Sequence, residues 1–186
     1  MVDVLGHFAF GLLWASPIWL VFDGRTAVAF VGVVLATAML PDVDLVLRHV
    51  VPGLQHHEVT HTVLFVVVVG VVAGRLVSPV VTPTLRRWWF ETEESVPTGP
   101  RVRRFVTGGL VLGGLSHVFA DMLSAPDISE PVEPMWPFFD KPISVDVIYY
   151  TSPWWNGGLL VVALALHLVL AYVDVTPLGK RRAGET

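Results

Sequence analysis

Histidines and aspartates recur along this chain in short groups, and long apolar segments separate the groups. Imidazole nitrogens and carboxylate oxygens are ligands of Zn²⁺, and they also suit Mn²⁺ and Fe²⁺. The chain has no cysteine, which excludes thiolate ligands, a cysteine nucleophile and disulfide bonds. A metal site would therefore draw on seven candidate ligands: His7, Asp42, Asp44, His56, His61, His117 and Asp121.

The last two candidates, His117 and Asp121, are four residues apart. On a helix this spacing stacks both side chains on one face. Gly109 and Gly113 continue the face, and small residues at this spacing predict that a neighbouring helix approaches closely. The alternative to a metal site is a hydrogen-bonded pair that joins two helices.

Two of the candidates follow a proline. Asp42 comes directly after Pro41, and one valine separates it from Asp44. Proline interrupts a helix, and a non-helical backbone there can aim both carboxylates at one centre. The alternative is that they cap the next helix. Because seven candidates exceed one site, either two ions share them or some of them orient the binding imidazoles. Asp42 or Asp44 could also act as a general base toward an activated water.

Three histidines, His56, His57 and His61, precede the third apolar segment. The spacing of four between His57 and His61 predicts one helical face. His56 and His61 are five apart, and a bend at the start of the helix would let both rings point inward. The alternative is that His56 and His57 lie in a solvated loop.

Composition predicts the elements that must position these residues. The chain is 53% hydrophobic and 15% charged, with a mean hydropathy of +0.64, whereas soluble domains have about 25% charged residues. We predict an all-α fold, a polytopic membrane helical bundle of about five spans, with one domain at 1–178 and a cytoplasmic tail at 179–186. The apolar segments cover residues 5–22, 26–40, 61–77, 105–123 and 156–173.

The second segment is short for a span, since a helix needs about 20 residues to cross the hydrocarbon core. We expect it to continue past Pro41 to residue 50 as a broken helix. If the segment instead enters and leaves the membrane on the same side, the number of spans falls to four. Residues 78–104 and 124–155 are expected to be loops. The second of these is either a lid over the site or, as we favour, an ordinary interfacial loop.

Positive charge predicts the orientation. Residues 1–22 contain no Lys or Arg, so we interpret them as a retained span and not as a signal peptide. With five spans, the side that holds the N-terminus carries two of the twelve Lys and Arg residues. The other side carries the remainder, so the positive-inside rule places the N-terminus outside and the C-terminus in the cytoplasm. All seven candidates then lie at the outer helix ends.

In these motifs the chain resembles the YdjM-like family of membrane-bound proteins, which are described as metal-dependent hydrolases. The resemblance covers roughly residues 5–160 in an ordered set of motifs. One departure is that His57 stands where the family has arginine. Arginine can bind a phosphate or carboxylate bidentately and histidine cannot do so equally, so the resemblance does not extend to anion recognition there. The matching elements are His7, Leu40-Pro41-Asp42-Val43-Asp44, His56 to Thr62, Ser116-His117 with Asp121, and Trp136-Pro137.

Three functions remain open. The first is a hydrolase in which one or two divalent ions, Zn²⁺ or else Mn²⁺ or Fe²⁺, activate water toward an ester or phosphoester. Its core ligands would be His56, His61, His117 and Asp121; Asp42 and Asp44 would be ligands or general base, and His7 a further ligand or a donor to one. The second is a transporter or ion-conducting protein, and the third a membrane protein with a non-catalytic metal staple.

Location predicts the partners of the chain. A site near the outer hydrocarbon boundary suits an amphiphilic substrate, such as a phospholipid or a lipid-linked phosphate. Membrane lipids are therefore expected partners. Nucleic acid is not, because the chain has no basic block with interleaved aromatic residues. The sequence predicts no oligomeric state.

Overall fold

The computed structural model describes residues 1–22, 24–89 and 98–175, and the predicted tail 179–186 lies outside the described residues. Within this description the chain is helical, with two isolated β-bridges and no longer strand. The expected membrane helical bundle is confirmed. Its helices are α1 (Val4–Ala15), α2 (Gly24–Leu35), α3 (Asp44–Leu47), α4 (Val63–Trp89), α5 (Gly99–Met122) and α6 (Leu159–Val175).

The long helices are arranged around α5, which packs against α1, α2 and α4, while α6 packs mainly against α1. The starts of α1, α4 and α6 lie at the same end of the bundle as the ends of α2 and α5, as contacts described below show. The helices therefore alternate in direction along the chain. This alternation brings every segment that carries a candidate ligand to one end.

Three helices are long and apolar enough to cross a membrane: Val63–Arg86, Gly99–Met122 and Trp154–Val173. The first two apolar segments form shorter helices, Val4–Leu20 and Gly24–Leu35. With 12 residues, α2 is about 18 Å long, which is less than the hydrocarbon thickness. By length and composition three helices qualify as spans, and together with the two shorter apolar helices they match the five predicted apolar segments. The expected break of the second segment is present, since a 3₁₀ turn at Pro41–Val43 and the one-turn helix α3 follow it.

The expectation of a loop over residues 78–104 is wrong at both ends, because α4 continues to Trp89 and α5 begins at Gly99. Two prolines, Pro79 and Pro83, lie inside α4. Proline leaves a helical carbonyl without its donor. Here the hydroxyls of Ser78 and Thr82 donate to the carbonyl oxygens of Gly74 and Ser78, in the turns that the prolines disturb.

Close packing of α2 on α5 confirms the prediction from Gly109 and Gly113. A Cβ atom at Gly113 would collide with the carbonyl oxygen of Val34, and one at Gly109 would lie 2.7 Å from Val33 Cγ1. Thr37 Oγ1 donates to the carbonyl oxygen of Leu110 at 2.8 Å across the same contact. The end of α2, and with it the aspartates that follow, is thus held against α5.

The segment between α5 and α6 is folded over the ends of the helices. Its backbone bonds back to α5, where the N–H of Val145 donates to Met122 O at 3.0 Å. It also donates within itself, from Ala125 N to Ile148 O at 2.7 Å. Ile148 is 1% exposed and packs with Val2, Phe10 and Ala120 in an apolar cluster beside the candidate ligands. The segment is therefore part of the packed structure at this end.

Candidate metal centre

All seven candidate ligands meet at one end of the bundle. They come from five separate places: α1, the 3₁₀ turn after α2, the start of α3, the segment before α4 and the last turn and a half of α5. His7, Asp44, His61 and His117 are fully buried and Asp121 is 2% exposed. The structure thus brings together what the sequence predicts to meet, and at one helix end, as expected.

Four ligand atoms form the innermost group. His61 Nε2 and His117 Nε2 are 3.3 Å apart, and Asp42 Oδ1 lies 3.4 Å from each of them. Asp121 Oδ2 is 3.2 Å from His117 Nε2 and 3.6 Å from His61 Nε2. Charge-assisted N–H···O bonds are shorter, at about 2.7–2.9 Å. A tetrahedron of N and O ligands around a zinc-sized ion has edges of about 3.3–3.6 Å, which these distances match.

The imidazoles in this group are turned so that Nε2 points inward. His117 Nδ1 donates to the carbonyl oxygen of Ala38 at 2.6 Å, and His61 Nδ1 lies 3.2 Å from Asp44 Oδ2. Since a carbonyl and a carboxylate only accept, Nδ1 carries the hydrogen on both rings. In the neutral rings the lone pair is then on Nε2, the arrangement found in metal-binding histidines.

Asp44 serves two histidines at once. Its Oδ1 accepts from His56 Nδ1 at 2.8 Å, and its Oδ2 accepts from the hydroxyl of Thr60 at 2.7 Å and faces His61 Nδ1. Burial raises the pKa of Asp44, but the contacts with His56, His61 and Thr60 outweigh it, so that the pKa lies below its usual value. With both oxygens engaged, this carboxylate is placed to orient imidazoles.

Asp42 is ionised as well. Burial raises the pKa of its carboxyl, but the neighbouring imidazoles of His117 and His61 outweigh that effect and hold the pKa below its usual value. Its side chain is 8% exposed, whereas those of His61, His117 and Asp121 are fully buried. Asp42 Oδ1 also lies 4.0 Å from His56 Nε2. Of the four innermost residues it is the one nearest the outside.

Several buried polar atoms of the cluster lack a hydrogen-bond partner among the described residues. Natural proteins rarely leave such atoms unsatisfied, and an ion is one reason for them. A cation among these atoms would satisfy several of them at once. The donor set therefore fits a divalent ion. The atoms are Asp42 Oδ1, Asp121 Oδ2, His56 Nε2, His57 Nε2 and both ring nitrogens of His7.

His7 stacks on His117, with ring centroids 3.6 Å apart and an interplanar angle of 5°. Its Nε2 lies 3.6 Å from Asp121 Oδ1, an oxygen that also accepts from the backbone N–H of Val2 at 3.0 Å. His7 can join Asp42 and His117 in a three-ligand group. The N-terminal segment thus contributes both a candidate ligand and a hydrogen bond that fixes Asp121.

Sequence reasoning missed His57, which it placed on a helical face with His61 or in a solvated loop. Both interpretations are wrong. Thr62 accepts from the N–H of Phe65 at 3.1 Å and α4 begins only at Val63, so the histidines precede the helix. His57 has a φ of +69° and is 4% exposed. No periodic pattern could signal this position, because a left-handed residue breaks helical spacing.

The ring of His57 is fixed like the others. Its Nδ1 donates to the carbonyl oxygen of Glu130 at 2.5 Å, and its Nε2 lies 3.7 Å from Asp121 Oδ2. Burial lowers the pKa of His57 to about 4, which keeps the ring neutral. The acceptor belongs to the segment between α5 and α6, which therefore packs on the site and is not a separate interfacial loop.

A cleft of about 300 Å³ opens beside the cluster. His56 and His57 form its inner wall, and Glu130, Glu133 and Trp136 belong to its outer wall. Because both histidines also face the buried aspartates, they separate the cluster from the outside. The cleft therefore ends at these two histidines, and none of the four innermost residues lines it.

Three further polar residues lie apart from the cluster. Asn156 donates to the carbonyl oxygens of Tyr150 and Ser152, at 2.7 and 3.0 Å, and so holds the start of the last helix. His167 accepts from Trp19 Nε1 at 2.8 Å and donates to a carbonyl of α1, which joins two helices. His49 is exposed.

Comparison with known proteins gives one finding. A family model described as YdjM inner membrane protein matches residues 1–183, almost the whole chain. No curated protein and no solved structure matches.

Proposed function

The chain belongs to the YdjM inner membrane protein family, and from this premise we propose that its His/Asp cluster is the centre of a metal-dependent hydrolase. His61, His117 and Asp121 would hold one divalent ion, most consistent with Zn²⁺, and Mn²⁺ or Fe²⁺ suit the same donors. When bound, such an ion supplies the Lewis acidity that activates water and polarises an ester or phosphoester.

The observation that carries this proposal is the set of inward-facing ligand atoms and the short distances between them. His61 Nε2, His117 Nε2 and Asp121 Oδ2 lie 3.2–3.6 Å from one another, which is the spacing of three corners of a tetrahedral site. Three protein ligands and one free corner are the pattern of catalytic zinc sites. The carboxylate of Asp42 would border that free corner, where it could take a proton from a water.

Asp42 is suited to be the general base. It is ionised, it lies 3.4 Å from the Nε2 atoms of both ligand imidazoles, and its side chain is the most exposed of the innermost group. A water that enters past His56 would meet this carboxylate and could transfer its proton to it. Asp44, by contrast, would orient His56 and His61, and in this scheme it contacts neither substrate nor water.

The substrate class follows from the location of the site. The cluster lies at the ends of apolar helices, where a lipid-like molecule can place its polar group in the cleft and its chains among the helices. We further infer that this end faces outward and that the C-terminus is cytoplasmic, because most Lys and Arg residues belong to the opposite side.

The test measures metal and turnover in the same preparations. Wild-type protein and an Asp42→Asn variant are purified in detergent without a polyhistidine tag, and their metal content is determined by elemental mass spectrometry. Turnover is followed with p-nitrophenyl phosphate, p-nitrophenyl butyrate and vesicles of phosphatidylethanolamine and phosphatidylglycerol. We expect the variant to keep the ion and to lose hydrolysis by at least about a hundredfold, as removal of a general base does.

Two variants provide the controls. Asp140→Asn changes an exposed aspartate and should keep both metal and turnover. Asp121→Asn removes a ligand and should lose the ion. Wild-type protein without any metal, even after incubation with Zn²⁺, Mn²⁺ or Fe²⁺, would contradict the proposal.

A structural metal staple is the second candidate, and it is favoured by the 3.4 Å distance from Asp42 Oδ1 to the Nε2 atoms of both His61 and His117. If Asp42 binds as a fourth ligand, the site is closed, and closed four-ligand sites are structural. Asp42→Asn would then lose the ion, and wild-type protein would show no turnover. The two candidates thus differ in the metal content of a single variant.

A further inference from the structure

His56 and His57 form a second pair of inward-facing imidazoles, which the proposed ion does not use. Each ring is anchored through Nδ1, His56 on Asp44 at 2.8 Å and His57 on the carbonyl of Glu130. The Nε2 atom of each is buried and has no partner among the described residues. Two adjacent, oriented and unsatisfied imidazole nitrogens need an explanation of their own.

The inward orientation of His57 depends on an uncommon backbone conformation. His57 has a φ of +69°, in the left-handed region that residues with a Cβ avoid. This conformation turns its ring inward beside that of His56, with ring centroids 4.1 Å apart. Strained residues of this kind cluster at functional sites. A surface loop with two solvated histidines would not require it.

A carboxylate lies between this pair and the buried imidazoles. His57 Nε2 is 3.7 Å from Asp121 Oδ2, the same oxygen that faces His61 and His117. On the other side, His56 Nε2 is 4.0 Å from Asp42 Oδ1. The atoms offered by His56, His57 and His61 are close enough together to hold one ion. The donors of the cluster therefore fall into two neighbouring groups, and Asp121 Oδ2 faces imidazoles of both.

We propose that His56 and His57 bind a second divalent cation, with Asp121 shared between the two ions. The proposal rests on the metal centre proposed above and assigns to it a second, outward position. Transition metals such as Zn²⁺, Mn²⁺ or Fe²⁺ suit two imidazoles and a carboxylate. Paired ions of this kind clamp the attacking and leaving oxygens of a phosphoester or ester.

Charge supports a second ion. Asp42, Asp44 and Asp121 bring three formal negative charges into a buried cluster, and imidazoles that bind a metal are neutral. One dication leaves one negative charge uncompensated, which is costly in a buried site. A second dication reverses the sign of the cluster and makes it attractive to an anionic phosphate or carboxylate. Recognition of an anion would then come from the ions.

The two positions differ in access. The ligands of the inner ion are buried, whereas His56 and His57 line the cleft. The outer ion is therefore the one that water and substrate reach, and it should exchange faster than the inner ion. Asp42 lies between the two positions, where it can take a proton from a water that approaches from the cleft.

The experiment counts ions in the full-length protein. Wild type, His57→Gln and the control His49→Gln, which alters an exposed histidine, are saturated with Zn²⁺, freed of loose metal by gel filtration and analysed by elemental mass spectrometry. We expect two equivalents in wild type and in the control, and one in His57→Gln. During dialysis against a chelator, the wild type should release one equivalent before the other.

A single equivalent in saturated wild type would overturn the second ion and leave the hydrolase proposal intact, whereas protein that binds no metal at all would overturn both. Two equivalents in His57→Gln would also overturn the assignment. If His57→Gln fails to fold, electron paramagnetic resonance of wild type loaded with Mn²⁺ decides. An exchange-coupled spectrum supports the pair of ions, and a spectrum of isolated Mn²⁺ overturns it.

Discussion

The Nε2 atoms of His61 and His117 face each other across 3.3 Å, although the residues are 56 positions apart in the chain. Both rings carry their hydrogen on Nδ1, because Asp44 and the carbonyl of Ala38 accept there. Two lone pairs this close repel each other unless a cation lies between them. We therefore expect both rings to bind the same cation, so that the contribution of each ring to metal affinity depends on the other.

This dependence predicts a non-additive double-mutant cycle. His61→Ala and His117→Ala should each lower Zn²⁺ affinity, measured by competition with a chromogenic chelator, by nearly as much as the double variant does. Coupled residues deviate from additivity by about 0.5–3 kcal/mol. Additive losses would mean that the two rings do not hold a common ion. Thermal unfolding in detergent serves to exclude global misfolding.

Asp44 should behave as an orienting residue and not as a ligand. Asp44→Asn removes the charge that fixes His56 and His61, and loss of such a partner costs about 10–100-fold in metal affinity. At saturating Zn²⁺ the variant should still reach the stoichiometry of the wild type. Asp121→Asn is the comparison that should lose stoichiometry as well. Equal behaviour of the two variants would place Asp44 among the ligands.

Packing of α2 on α5 should be sensitive to a single methyl group. Gly113→Ala puts a Cβ against the carbonyl oxygen of Val34, and overpacking of this kind costs about 1–3 kcal/mol of stability. Gly108→Ala is a matched control in the same helix, since no atom lies within 4 Å of a Cβ there. Thermal unfolding of both variants in detergent measures the difference. An unchanged midpoint for Gly113→Ala would contradict the close approach.

The proposed orientation can be tested with introduced cysteines, because the chain has none of its own. Lys141→Cys lies at the end of the bundle that carries the cluster, and Arg101→Cys lies near the start of α5, at the opposite end; both positions are exposed. In intact spheroplasts a membrane-impermeant maleimide should label Lys141→Cys and should label Arg101→Cys only after lysis. The reverse pattern would place the site on the cytoplasmic side.

Residue type and spacing were sufficient to predict the bundle and the convergence of the seven candidates. The prediction worked because long apolar runs and buried charges each have few structural solutions in a membrane. It failed where local chemistry overrides the pattern. Membrane helices tolerate proline, and α4 continues through Pro79 and Pro83, so a helix replaced an expected loop.

The role of individual ligands lay beyond the sequence for a different reason. Whether a carboxylate binds a metal or orients an imidazole depends on which atoms its oxygens contact. Asp42 and Asp44 are only two residues apart, yet Asp42 faces Nε2 atoms and Asp44 faces Nδ1 atoms. The sequence did not predict that the ring of His57 faces the cluster, because this orientation depends on one left-handed φ angle. Such a backbone choice follows from tertiary contacts, here with Glu130 and Asp121.

The distribution of the ligands along the chain also has a consequence for biogenesis. Translation delivers the chain from its N-terminus, so His7, Asp42 and His61 enter the membrane well before His117 and Asp121. If the cluster binds a metal as proposed, its coordination shell cannot close until α5 has been inserted with its C-terminal end at the same side. Metal loading would then be a late maturation step, and a nascent chain that stalls before this helix would carry only part of the site.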